Sequence, residues 1–122
     1  MRTIAVWFMI IGTALVASCA GTVPKPTPSH LRWASLRWPG MQMQDLMSGR
    51  QLYVLKCSGC HSLHRPDELP ALQWEKTVAE MMTRAKLTSE EAQLIVRYLV
   101  TVSATKEGVP YENGVTNGSN KH

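Results

Sequence analysis

Residues 57–61, Cys-Ser-Gly-Cys-His, constrain this chain more than any other part of its sequence. Two thiols three residues apart, followed directly by an imidazole, form the C-x-x-C-H pattern of covalent c-type haem attachment. Cys57 and Cys60 can each form a thioether with one vinyl group of a porphyrin. His61 then presents a ring nitrogen to the iron as the proximal ligand. The pattern predicts one covalently bound haem c.

Other uses of a C-x-x-C pair fit the sequence less well. A thioredoxin-like redox pair belongs to a βαβ context, and no strand pattern flanks residues 57–61. A zinc site would need a second pair of ligands, and the chain has only one further cysteine, Cys19. An accidental match would leave two idle thiols, which do not persist in an oxidising compartment.

The first 18 residues predict a secretory signal peptide. A basic start leads into an apolar run over residues 4–16 that ends in small residues, and this run is shorter than the roughly 20 residues that span a bilayer. Residues 15–19, Leu-Val-Ala-Ser-Cys, resemble the lipobox of bacterial lipoproteins. The resemblance implies a lipid anchor at Cys19 and a protein tethered to a membrane in the periplasm, and Ala20 favours the outer over the inner membrane. The alternative is ordinary cleavage, or an uncleaved anchor, with Cys19 incidental.

Residues 19–40 are expected to form a lipid-anchored, proline-rich linker. Its three prolines at positions 24, 26 and 28 each fix φ and bias the preceding residue away from helix. Trp33 and Trp38 each follow an arginine. They can rest in the lipid headgroups or pack against the folded domain, and we favour packing.

The net charge of +4 comes from residues outside the segment 41–102. Residues 41–102 carry seven Lys and Arg and seven Asp and Glu, whereas a nucleic-acid binder would carry a basic face on its folded part. Nucleic acid is therefore excluded as a partner. Residues 41–102 are the predicted folded domain. Residues 103–122 are rich in Gly, Asn, Ser and Thr, show no apolar period and predict a disordered tail.

Helix signals flank the attachment motif on both sides. Ser48 is the candidate N-cap of a helix that leads to Cys57. Thr88 and Glu91 form a capping box, and an apolar face with helical spacing follows them. Residues 49–102 resemble a monohaem class I c-type cytochrome, in which a helix with a Gly and an aromatic before the motif crosses a C-terminal helix with an aromatic-Leu pair.

Gly49 and Tyr53 match the first of these helices, and Ile95 with Tyr98 and Leu99 matches the second. The resemblance implies an all-α fold, a small bundle of about three helices around one haem, with Gly49 allowing close approach of two backbones. It also implies one-electron transfer between redox partner proteins in the periplasm. No catalytic constellation accompanies the haem motif, so we do not expect an enzyme.

The sixth iron ligand is predicted to be Met81. Pro70 stands before a helical pattern in which Trp74, Val78 and Met81 share one stripe. This order resembles small haem-binding domains whose methionine ligates iron. Met82 is the second candidate, and a methionine on such a stripe can also simply fill the core.

Three methionines before the first predicted helix, Met41, Met43 and Met47, would have to fold back over the haem. His64 is too near His61 to reach the opposite face of the ring, and it is expected to hydrogen-bond or lie at the surface. Two other functions stay open. An unligated sixth position would indicate a peroxidase or a gas sensor, and a docking strip around Trp33 and Trp38 would indicate the electron-entry subunit of a larger oxidoreductase.

Overall fold

The computed structural model describes residues 23–58 and 63–108. All regular secondary structure in these residues is helical. They contain α1 (Pro28–Arg37), α2 (Met43–Cys57), α3 (Ala71–Met81), α4 (Ser89–Glu107) and a short 3-10 helix, Pro66–Glu68, before α3. No strand occurs within these residues. The all-α class is confirmed, with one α-helix more than expected.

The crossing of α2 and α4 at Gly49 organises the fold. A Cβ at Gly49 would overlap the carbonyl oxygen of Leu94 and would lie 2.9 Å from the Cβ of Tyr98. Only glycine therefore lets the two backbones approach so closely. Around this contact, Ile95, Tyr98 and Leu99 are fully buried. The close approach at Gly49 is confirmed.

Helix α3 packs beside α4 through the apolar stripe that the sequence predicts. Trp74 and Val78 are buried in the core that α4 completes, and Pro70 directly precedes the helix. The hydroxyl of Ser103 on α4 donates a 2.7 Å hydrogen bond to the carbonyl of Leu69. This bond holds the backbone at Leu69, just before α3, against the C-terminal half of α4.

The two helices nearest the motif begin differently. The capping box of α4 is confirmed: the hydroxyl of Thr88 accepts from the amide of Glu91, whose carboxylate accepts from the amide of Thr88. For α2 the predicted start is wrong. Ser48 lies inside the helix, which begins at Met43, where the carboxylate of Asp45 accepts a 2.8 Å hydrogen bond from the amide of residue 42.

The segment expected to be a linker contains α1. Trp33 and Trp38 pack against the core, with ring centroids 6.1 Å apart. The guanidinium of Arg37 lies 4.9 Å from the ring centroid of Trp38 and pairs with Glu75 on α3 at 3.1 Å. The predicted packing of the tryptophans is confirmed, and the domain extends back through α1 because these contacts hold the helix.

The opposite boundary also differs from the predicted one. α4 runs to Glu107, and Thr101 and Ser103 have no exposed surface. The polar composition of this segment predicts exposure, but the two hydroxyl side chains lie on the face of α4 that packs into the core. The first part of the predicted tail therefore belongs to the domain, and residues 109–122 lie outside the described residues.

The 3-10 helix is joined to the end of α4 by ion pairs on one carboxylate. Asp67 accepts from Arg65 at 2.7 Å and also from Lys106. The hydrogen bond from Lys106 is the main cause that lowers the pKa of Asp67. The ion pair between Asp67 and Lys106 thereby holds the 3-10 helix to the C-terminal end of α4.

The predicted signal peptide and Cys19 lie outside the described residues. Within the ranges that the structure describes, no helix combines the length and the apolarity needed to cross a bilayer.

Candidate haem-binding site

Cys57 is the last residue of α2, and its side chain is half-buried. The helix that begins before the Gly49 crossing thus delivers the first thiol of the motif to the edge of the core. Cys60 and His61 lie outside the described residues. The structure therefore places one of the three predicted attachment residues.

An apolar cavity of about 60 Å³ opens beside Cys57. Met81, at the end of α3, lines this same cavity. The remaining lining side chains are Tyr53, Leu63, His64, Trp74, Thr77, Val78 and Leu87. Two residues that the sequence marked independently, a thiol and a thioether, are thus brought to one apolar space.

Met82 points to a different part of the surface. It lines an open groove of about 530 Å³ together with Trp38 and Arg97, and Val78 is the residue that both spaces share. A turn of 100° per residue separates adjacent side chains on a helix, which sends neighbouring methionines to different spaces. Of the two candidates, only Met81 lines the cavity beside Cys57.

Tyr53 and Trp74 form a fixed aromatic wall. Their rings meet edge to face with centroids 6.1 Å apart, an arrangement favoured by aromatic quadrupoles. The indole nitrogen of Trp74 donates a 2.8 Å hydrogen bond to the carbonyl of Pro66. The polar atom of the tryptophan is satisfied, so its ring presents only apolar surface to the cavity.

The connection after the motif is tied back to α2. The hydroxyl of Tyr53 donates a 2.5 Å hydrogen bond to the carbonyl of His64, and burial raises the pKa of Tyr53. The ring of His64 pairs with Glu68 at 2.9 Å while its side chain stays exposed by more than half. The pKa of Glu68 is lowered by this hydrogen bond. The expectation for His64 is confirmed.

The turn between α3 and α4 forms the remaining wall. Lys86 has a φ of 52°, in the left-handed region that closes a helix. The amide of Leu87 donates a 3.0 Å hydrogen bond back to the carbonyl of Met82. This turn brings Leu87 to the cavity that Cys57 also lines. Leu63, Thr77 and Leu87 are the lining residues that the sequence did not mark. The two leucines each stand in a connection without periodicity, and Thr77 is a polar residue beside the apolar stripe of α3.

The chemistry of this site fits a c-type haem. A porphyrin needs apolar walls, a thiol at its edge and, for six-coordinate iron, a donor such as a thioether; Cys57, Met81 and the aromatic wall supply these. Ligand pockets commonly enclose roughly 300 to 1,000 Å³, so a cavity of about 60 Å³ must widen to admit the ring. The two connections that carry Leu63 and Leu87 are the walls of the cavity that lie outside regular helix.

A comparison with family models supports this interpretation. The model described as dihaem cytochrome c matches residues 53–119, which is more than half of the chain. The chain belongs to the dihaem cytochrome c family. No curated protein and no solved structure matches it.

The dihaem cytochrome c match begins at Tyr53 and includes the C-x-x-C-H motif. The chain has three cysteines, Cys19, Cys57 and Cys60, so it holds one such motif and no thiols for a second. The groove beside Met82 is lined by neither cysteine nor histidine. Within the described residues, this groove does not fit a second, covalently attached haem.

Proposed function

We propose that this dihaem cytochrome c family member carries a single haem c and transfers one electron at a time between protein partners. The observation that supports the proposal is the convergence of Cys57 and Met81 on one apolar cavity lined by the last turns of α2 and by α3. The haem, when bound through Cys57 and Cys60, supplies a centre that gains or loses one electron.

The iron is held by His61 and Met81 in this proposal. His61 follows the attachment thiols directly, and Met81 lines the cavity that Cys57 enters, whereas Met82 faces the groove beside Trp38. A thioether ligand raises the reduction potential relative to two histidines. Ligation by His61 and Met81 therefore favours a high reduction potential, at which the haem accepts electrons from donors of lower potential.

The chain's own residues keep water from the ring and hold its surroundings rigid. Trp74 and Val78 are buried on α3, and the bond from Tyr53 to His64 closes the segment that follows the motif. Apolar walls of this kind control solvent access and with it the potential. A fixed environment also means little rearrangement when the charge changes.

The proposed location is the periplasm, with a lipid at Cys19 tethering the domain to a membrane, the outer one rather than the inner. The supporting features are the apolar leader and the lipobox-like residues 15–19. Redox proteins of the same compartment are the proposed partners. No enzymatic role is proposed.

A redox titration of the natively produced protein, followed by its haem absorbance, tests this function. We expect one transition with a one-electron slope and a sulfur-to-iron charge-transfer band in the oxidised state. Two resolved transitions would contradict a single haem. A five-coordinate, high-spin spectrum would contradict methionine ligation and would favour the open site of a peroxidase or sensor.

A further inference from the structure

The residues that follow Cys19 are clamped to the folded domain almost at once. Val23 is 8% exposed and belongs to the main core. Its carbonyl accepts two hydrogen bonds from the guanidinium of Arg50, at 3.0 and 2.9 Å. The carbonyl of Pro24 accepts a 2.5 Å hydrogen bond from the hydroxyl of Tyr98. Charge-assisted bonds from a guanidinium are among the stronger ones, so this segment is not a free spacer.

The clamp limits how far the domain can stand from a lipid on Cys19. Val23 is four positions after Cys19, and an extended chain advances at most about 3.6 Å per residue. The reach is therefore about 14 Å, roughly the diameter of one helix with its side chains. A domain held this closely must present one particular face to the membrane.

The segment that follows the clamp, through α1, is basic and carries no acidic residue of its own. Asp45 is the first acidic residue in the whole chain. Lys25 and Arg32 are exposed, and Leu36, one helical turn after Arg32, is 53% exposed. Arg32 and Leu36 share one side of α1 because residues four apart lie above one another on a helix. We call Arg32 and Leu36 the α1 outer face; the exposed Lys25 lies three residues before the helix begins.

We propose that the α1 outer face rests on an anionic lipid surface, so that the tethered cytochrome lies on the membrane in a fixed orientation. This inference rests on the lipid anchor of the proposed function. Cations near an anionic leaflet are attracted within a Debye length, and the exposed Leu36, one helical turn after Arg32, adds apolar contact at the headgroups. Trp33 and Trp38 take no part, because they pack inside against the core.

A lysine footprint on the natively produced, haem-loaded protein in vesicles tests the contact. Vesicles of phosphatidylcholine are compared with vesicles that also contain phosphatidylglycerol, and lysines are labelled by a water-soluble acetylating reagent. Labelling of Lys25 is expected to slow severalfold on the anionic vesicles and to recover in high salt. Lys76, 82% exposed on α3, is the internal control. Its labelling rate is expected to be the same on both kinds of vesicle and in high salt.

The variant Arg32→Glu is expected to reduce the protection of Lys25 by about fivefold or more, since one cation contributes about that factor to binding an anionic surface. Its matched control is Arg84→Glu, an exposed arginine after α3, which leaves the protection unchanged. Equal rates at Lys25 on both vesicles, or equal losses in both variants, overturn the proposal.

The mass of the purified protein separates this proposal from the one on which it depends. An acyl adduct at Cys19 together with unprotected Lys25 leaves the tether in place and refutes the α1 outer face. A protein without the adduct refutes the tether and, with it, the fixed orientation.

Discussion

The hydroxyl of Tyr53 donates a hydrogen bond of 2.5 Å to the backbone carbonyl of His64. Tyr53 lies one helical turn before Cys57, and His64 follows His61 by three residues. The bond therefore closes the connection between the two described segments on either side of residues 59–62, which include Cys60 and His61. We expect this closure to limit where His61, the predicted proximal ligand, can reach.

Removing this hydroxyl tests the closure. Tyr53→Phe keeps the aromatic wall with Trp74 but leaves the carbonyl of His64 without its donor, which should lower the free energy of unfolding by about 1–2 kcal/mol. Denaturant unfolding of the haem-loaded protein measures the loss. A variant as stable as the parent would show that the bond contributes nothing to this closure.

Two buried tyrosines predict a loss of stability at alkaline pH. Burial raises the pKa of both Tyr53 and Tyr98, whereas in the unfolded chain they ionise near pH 10. The unfolded state then binds fewer protons above about pH 10, so the free energy of unfolding falls as the pH rises further.

Tyr98→Phe should remove roughly half of this alkaline decline, because only Tyr53 is left to contribute it. Unfolding measured at several pH values from neutral to alkaline gives the slope. A slope that Tyr98→Phe does not change would contradict the assignment to these two phenols.

Gly49→Ala should be poorly tolerated. The new Cβ would overlap the carbonyl of Leu94, and since this neighbour is backbone, α2 and α4 must move apart. Overpacking of this kind costs about 2–3 kcal/mol. Gln51→Ala, an exposed site on the same helix, should change stability by less than about 0.5 kcal/mol. Equal thermal unfolding of the two variants would refute the close crossing.

Lys86→Gly should stabilise the protein. Lys86 adopts a φ of 52°, a conformation that costs a residue with a Cβ about 1–2 kcal/mol. Part of that gain is offset by the greater freedom of glycine in the unfolded chain, leaving about 0.5–1 kcal/mol. Lys76→Gly, within α3, should instead destabilise by about 1 kcal/mol. Calorimetry of both variants compares the two signs directly.

Met81→Leu and Met82→Leu separate the two candidate ligands. Leucine keeps the apolar volume but removes the sulfur, so Met81→Leu should abolish the sulfur-to-iron charge-transfer band and lower the reduction potential. Met82→Leu should keep both, because Met82 faces the groove beside Trp38. The reverse pattern would assign the iron to Met82, and two unchanged spectra would exclude both.

Features encoded by neighbouring residues could be predicted from the sequence. The capping box of Thr88 and Glu91 is one, and the buried stripe with Trp74 and Val78 is another. Gly49 could be predicted only through the resemblance to class I cytochromes, since a lone glycine does not name its partner helix. In each case the signal lies within a few residues or in a known pattern.

Features that depend on distant contacts could not be predicted. α1 begins at the third of three prolines. The sequence favours packing of Trp33 and Trp38. The pairing of Arg37 with Glu75, 38 residues away, is not revealed by the local sequence. The end of α4 looks like a polar tail, yet Ser103 donates to the carbonyl of Leu69, 34 residues away. The clamp on Val23 is of the same kind, because Arg50 lies 27 residues along the chain.

Intact-mass measurement of the natively produced protein, followed by peptide mapping, tests whether one haem is attached covalently. We expect a mass gain of one haem per chain, with the adduct on the peptide that contains Cys57 and Cys60. A polypeptide without an adduct, or one that carries two haems, would contradict the proposal of a single covalent haem.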